Sequence, residues 1–167
     1  MMRFFLSLRM NYLISKRNLK TPDSINCNYF IVDKNENRID VLIVSFSGNY
    51  PNGSLGKNHA KFITTNTITG LINFDPDAVI LDFRELEYNW GNNILDVFEC
   101  ISFLKDSENS ENEPNFPVLL LVSEKSKNGI LSLLNLTDAK ELPNWISEDL
   151  NIVIENAIKK GKYWLDY

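Results

Sequence analysis

Histidine and cysteine are nearly missing from this chain: His59 stands alone, and Cys27 and Cys100 are the only thiols in 167 residues. Two distant cysteines cannot make a disulfide scaffold, and with no His or Cys nearby they cannot make a zinc site. Cys100 falls within a helical pattern, which predicts a buried free thiol and a reducing compartment. No apolar run approaches the ~20 residues needed to span a membrane. Phe4-Phe5-Leu6-Ser7-Leu8 is cut short by Arg9. It is too brief for the core of an export signal, and no clear small-residue cleavage site follows, so the expected location is cytoplasmic. Basic residues are also scarce beyond the first twenty. Arg3, Arg9, Lys16, Arg17 and Lys20 occur there without an acid, so a net charge of −5 leaves −10 on the rest. A body of that sign argues against nucleic acid as a partner and suits a basic protein.

What is present is enough for one domain with a real core, since 44% of the residues are apolar and 23% charged. The clearest stretch is Ala78 to Leu104. Ala78-Val79-Ile80-Leu81 reads as a strand buried on both faces, as in a largely parallel sheet. The chain turns polar at Asp82 and Arg84-Glu85, crosses Tyr88-Asn89-Trp90-Gly91, and enters a helix. Ile94, Val97, Phe98, Ile101 and Leu104 follow the spacing of one apolar helix face. Asn92 or Asn93 suits its cap, with Asp96 in the first turn. The turn between strand and helix lies at the carboxyl end of a strand, where open α/β folds place binding surfaces.

Residues 1–26 read as a basic, poorly defined N-terminal extension, and 27–167 as a single α/β domain without internal repeats. Tyr29–Val32 and Ile39–Phe46 are predicted strands joined by the polar loop Asp33–Asn37. Gly48–Lys57 is a Gly/Asn/Pro loop. It fails as a phosphate cradle, because Pro51 and Asn58 stand where Gly and Ser/Thr are required. A helix over Asn58–Ile72 carries Ala60, Ile63, Thr67 and Leu71 on one face. Lys105–Phe116 is poor in apolar residues and predicts a solvated, mobile loop. Val118–Val122 is a further strand, followed by a short helix capped by Ser126 and ended by Asn135 in the left-handed conformation. Pro143–Ile146 is a short edge strand. The last helix has Ser147 as its cap and Gly161 as its stop.

In the order hairpin, helix, strand, helix, strand, helix, short strand, helix, residues 29–160 resemble the STAS domain of anti-sigma factor antagonists and sulfate-transporter tails. Ala78–Phe83 is similar to that family's central strand. Leu131–Leu136 resembles its later helix ending in Gly-Leu, with Asn135 in place of Gly. The resemblance implies a mixed sheet with packed helices and a role in binding other proteins. The regulatory members carry a phosphorylated serine where the helix after the central strand begins. Here that region reads Asn89-Trp90-Gly91-Asn92, with no hydroxyl.

Glu85 and Glu87 flank Leu86 and share a face of an extended segment; with Arg84 beside them they are candidates for acid–base work, or for solvated docking charges. Tyr88 and Trp90 share a face in the same way, and large rings beside carboxylates are hot-spot residue types. The predicted binding set is therefore Glu85, Glu87, Tyr88, Trp90 and Asn92, with the acids Asp106, Glu108, Glu111 and Glu113. No metal or cofactor is implied. The function expected is a non-enzymatic acidic module for a basic protein, most concretely a toxin-neutralising immunity protein. The alternatives are a STAS-like regulatory antagonist, or a small enzyme using Glu85, Glu87 and His59.

Overall fold

The computed structural model describes residues 12–33 and 36–167. The basic start of the chain up to residue 11, and two residues of the predicted hairpin loop, lie outside this range. The elements run β1 (Ile25–Ile31), β2 (Val41–Asn49), α1 (Lys57–Phe74), β3 (Ala78–Glu87), α2 (Asp96–Asp106), β4 (Val118–Leu121), α3 (Lys127–Leu133), β5 (Ile146–Ser147) and α4 (Leu150–Asp166). This is the order read from the sequence, and the class is a single mixed α/β domain. The five strands lie in the order β1-β2-β3-β4-β5, with β1 antiparallel to β2 and every other pair parallel.

Alternation explains the layers. In β2, Leu42, Val44 and Phe46 enter the larger core with α1 and α2, whereas Val41 and Ile43 enter a second core with Val153 and Ala157 of α4. β3 divides in the same way, with Val79, Leu81 and Phe83 on one side and Ala78 and Ile80 on the other. A strand apolar on both faces must lie inside a sheet covered on both faces, and that is where β2 and β3 are found.

Several local expectations need correction. β1 starts at Ile25, four residues before Tyr29, because Ile25 and Cys27 pack inward. β3 does not end where the sequence turns polar but continues to Glu87. Asp82 stays buried within it because Arg84 answers its charge. Ser147 belongs to β5, and the cap of α4 is Asp149, whose Oδ1 accepts from the Asn151 and Ile152 amides at 2.8 and 3.1 Å. Gly161 does not stop α4. It lies inside the helix, where a Cβ would come within 2.7 Å of Ile39 Cγ2, so the glycine lets α4 approach the sheet. Ser126 begins α3 without a side-chain capping bond. Asn135 does end it, at φ 56°, with Leu136 N–H bonded to Leu131 O and Asn135 N–H to Ser132 O. That pair of bonds is a Schellman motif. Cys100 is exposed, since it falls on the outer face of α2, opposite Val97 and Ile101.

Candidate functional site

The carboxyl ends of the parallel strands are bound together by the segments that leave them. The Tyr50 amide donates to Glu87 O at 2.9 Å and the Tyr88 amide to Lys125 O at 3.1 Å. The Gly53 amide donates to Trp90 O at 3.2 Å, and Ser123 Oγ to Arg84 O at 2.6 Å. The turns after β2, β3 and β4 therefore form one surface. It presents Glu85, Glu87, Trp90 and, beside Gly53, Leu55.

Glu85 and Glu87 both point to solvent on either side of buried Leu86, as the alternation predicts. Glu85 Oε2 is paired with Lys125 Nζ at 2.8 Å. The hydrogen bond to Glu85 holds the Lys125 ammonium above its ordinary pKa, and the charges of Glu85, Glu87 and Glu124 add to this. Glu85 is thus held in a largely exposed ion pair, of the kind that water screens.

Tyr88 and Trp90 do not share a face. Tyr88 is 1% exposed, donates its hydroxyl to Gly91 O at 3.0 Å and meets Tyr50 edge-on at 5.1 Å. Burial pushes the phenols of Tyr50 and Tyr88 up to about 12. Tyr88 is thus a core residue and leaves the predicted binding set. The strand ends at Glu87, so the two-residue alternation does not carry on to Trp90. Trp90 is 59% exposed, and its ring lies over Gly53, where a Cβ would come within 2.6 Å of Cη2. Gly53 also has φ +61°, so the platform for Trp90 demands glycine twice over. Asn92 is exposed in a short 3-10 turn, Asn92–Leu95, that precedes α2 and has no side-chain cap.

The acids after α2 lie elsewhere. Asp106 ends the helix, and its Oδ1 accepts from the Phe116 amide at 2.8 Å and from Asn109 Nδ2 at 3.4 Å. It closes the loop after α2. Glu108, Glu111 and Glu113 are exposed on the connection that leads into the amino end of β4. Val79 pairs with Val118 there, whereas Glu87 is eight residues further along β3, roughly 25 Å at the rise of a strand. The predicted acids therefore divide between opposite ends of the sheet.

His59 is 9% exposed, and its Nε2 lies 2.7 Å from Ser24 Oγ, which donates to Asn49 O at 3.2 Å. Its Nδ1 is buried without a hydrogen-bond partner, and burial lowers its pKa. A nucleophile–base pair needs an acid to orient the base, and none lies within ion-pairing distance among the described residues. The structure joins His59 to Ser24 and Tyr50, not to Glu85 and Glu87. Among the described residues, no group of three His, Cys, Asp or Glu is placed to hold a metal ion.

Sequence reasoning missed Gly53, Leu55 and Lys125. Asn52-Gly53 was a legible turn signal. Nothing local marks Lys125 as the partner of a residue 40 positions away. No helix among the described residues is long and apolar enough to cross a membrane. No protein-family model matches the chain, and no curated protein is significantly similar to it. Among solved structures it is similar to the crystal structure of an anti-sigma factor antagonist from Mycobacterium paratuberculosis. The identity is 13% and the TM-score 0.45, over 83% of this chain and 98% of that chain.

Proposed function

We propose that this chain is a non-enzymatic protein-binding module that docks a basic partner at the carboxyl end of its sheet. The observation that carries the reading is Trp90: a large ring, 59% exposed, seated on Gly53, with the exposed carboxylates of Glu85 and Glu87 a few residues before it in the chain. A seated ring loses little freedom on binding, and aromatic anchors dominate interface energies. The acid excess beyond residue 20 supports a basic partner, and its most concrete form is a toxin domain that the module neutralises.

A second reading is a regulatory antagonist of another protein. It is favoured by the order of elements, which runs as in the STAS domain. The stretch Asn89–Asn92 offers no hydroxyl, so this binding would not be switched by phosphate there.

Both readings are tested by immobilising the wild-type and Trp90→Ala chains and exposing them to one cell extract at low and high salt. The expected result is a basic protein captured by the wild type and held about 30-fold more weakly by Trp90→Ala, the equivalent of about 2 kcal/mol. A captured toxin favours the first reading and a captured regulator the second. Equal capture by the two chains overturns this docking surface.

A further inference from the structure

α1 and α2 lie side by side on one face of the sheet and leave a trough between their outer surfaces. Two cavities of about 570 and 520 Å³ share Glu99 and Cys100, and together they form that trough. Its walls are apolar toward the end of α2, where Phe103 is 79% and Leu104 41% exposed beside Ile68. This is a small apolar patch that a short apolar segment can cover. Toward the start of α2 the rim carries Asp96 and Glu99, neither in an ion pair among the described residues. Lys61 of α1 and Lys20 of the entering chain are the cations that line the same cavity.

Asn18, Leu19, Lys20 and Thr21 wall the mouth of the trough, so the chain enters the domain there. Just upstream, Tyr12, Leu13 and Ile14 are 81%, 105% and 81% exposed, and Lys16 and Arg17 follow with no acid among residues 12–22. Read backwards from Asn18, the chain is basic and then apolar. Read from its mouth, the trough is acidic and then apolar.

We propose that residues 12–17 fold back along this trough, with Lys16 and Arg17 against Asp96 and Glu99 and with Leu13 and Ile14 on Phe103 and Leu104. The reach is sufficient. Asp96 to Leu104 is eight helical residues, about 12 Å, and the five steps from Asn18 to Leu13 span up to about 17 Å when extended. A tether this short holds the segment at an effective concentration in the millimolar range, which favours this chain's own arm over a second copy or a foreign peptide. The arm is then a strap over the α1/α2 face, and any protein that uses this face must displace it. None of this depends on the Trp90 surface.

The test is disulfide trapping in the full chain. Leu13→Cys is placed in a Cys27→Ser background, which leaves Cys100 as the only other thiol. Under mild oxidation an intrachain bond to Cys100 is expected at a rate independent of protein concentration. It should form at least tenfold faster than from Glu155→Cys on α4, across the sheet. A rate no faster than this control overturns the proposal, and so do disulfide-linked dimers, which would assign the trough to a second copy. Limited trypsin digestion with the native cysteines is the second measurement. Cleavage after Lys16 and Arg17 should rise at least fivefold in Phe103→Glu at an unchanged melting temperature, and equal cleavage overturns the proposal.

Discussion

Arg84 reaches back two residues along its own strand to hold Asp82 with both arms of its guanidinium. Nε lies 3.0 Å from Oδ1 and Nη2 2.9 Å from Oδ2, while the Arg84 amide donates to Oδ1 at 3.1 Å. Ser45 Oγ adds a bond to Oδ2 at 3.2 Å from the neighbouring strand, beside the register shift between Ser45 and Ser47. This knot lets β3 carry a carboxylate through its middle and run on to Glu87 as a continuous strand.

Arg84→Leu should therefore destabilise the fold. The Asp82 side chain is only 6% exposed and would lose its counter-charge. Arg84 itself is 38% exposed, so water recovers part of the loss, and about 2 kcal/mol in urea denaturation is expected. The double variant Asp82→Leu/Arg84→Leu should lose less than Arg84→Leu alone. Any loss under about 0.5 kcal/mol would mean that the pair is not structural.

Tyr88 and Trp90 should separate cleanly. Tyr88→Ala empties a fully buried ring site and is expected to cost about 3–5 kcal/mol of stability. Trp90→Ala should cost less than about 1 kcal/mol while weakening partner binding. Thermal melts decide this, and a Trp90→Ala chain that unfolds with its binding per folded molecule unchanged would return the ring to the core.

Charge reversal at Glu85 and Glu87 acts on rim charges. Glu85→Lys/Glu87→Lys should mainly slow association with a basic partner, and the effect should shrink as salt rises past 0.1 M, where the screening length is about 10 Å. Stopped-flow or surface binding rates at two salt concentrations measure it. A change confined to dissociation would place these carboxylates inside the interface.

His59 gives a pH dependence of known sign. Its folded pKa lies below the ordinary 6.5 because burial penalises the charged ring, so the unfolded chain binds the proton more readily. Stability is then fully present above about pH 6.5 and is lost as the pH falls through the folded pKa. His59 is the only histidine, so His59→Gln should flatten the slope of stability between pH 7 and 5 relative to the wild type. An identical slope in the two chains would contradict this.

Gly129→Ala should also be costly, because its Cβ would come within 2.5 Å of Tyr88 O and 2.7 Å of Asn89 O. Backbone cannot yield as a flexible side chain can, and a loss of about 1–3 kcal/mol is expected in the melting transition. A neutral substitution would mean that α3 is free to move away from the turn after β3.

Elements whose patterns are local and redundant were legible in the sequence. Two-faced apolar runs placed β2 and β3 in the interior, and the 3.6-residue period of Ala60, Ile63, Thr67 and Leu71 placed α1. Asn135, which tolerates a left-handed backbone, marked the end of α3. Tertiary structure decided whatever depended on a partner remote in sequence. Asp82 is buried because Arg84 and Ser45 supply its hydrogen bonds, and Gly161 continues a helix because Ile39 and the Asp77 carbonyl crowd it. Tyr88 turns inward onto Tyr50 while Trp90 turns outward onto Gly53. The acids of one composition-defined set were parted by the length of a strand. Periodicity reports which way a side chain points within one element. Only packing between elements decides what it meets there, and a docking surface is built from such meetings.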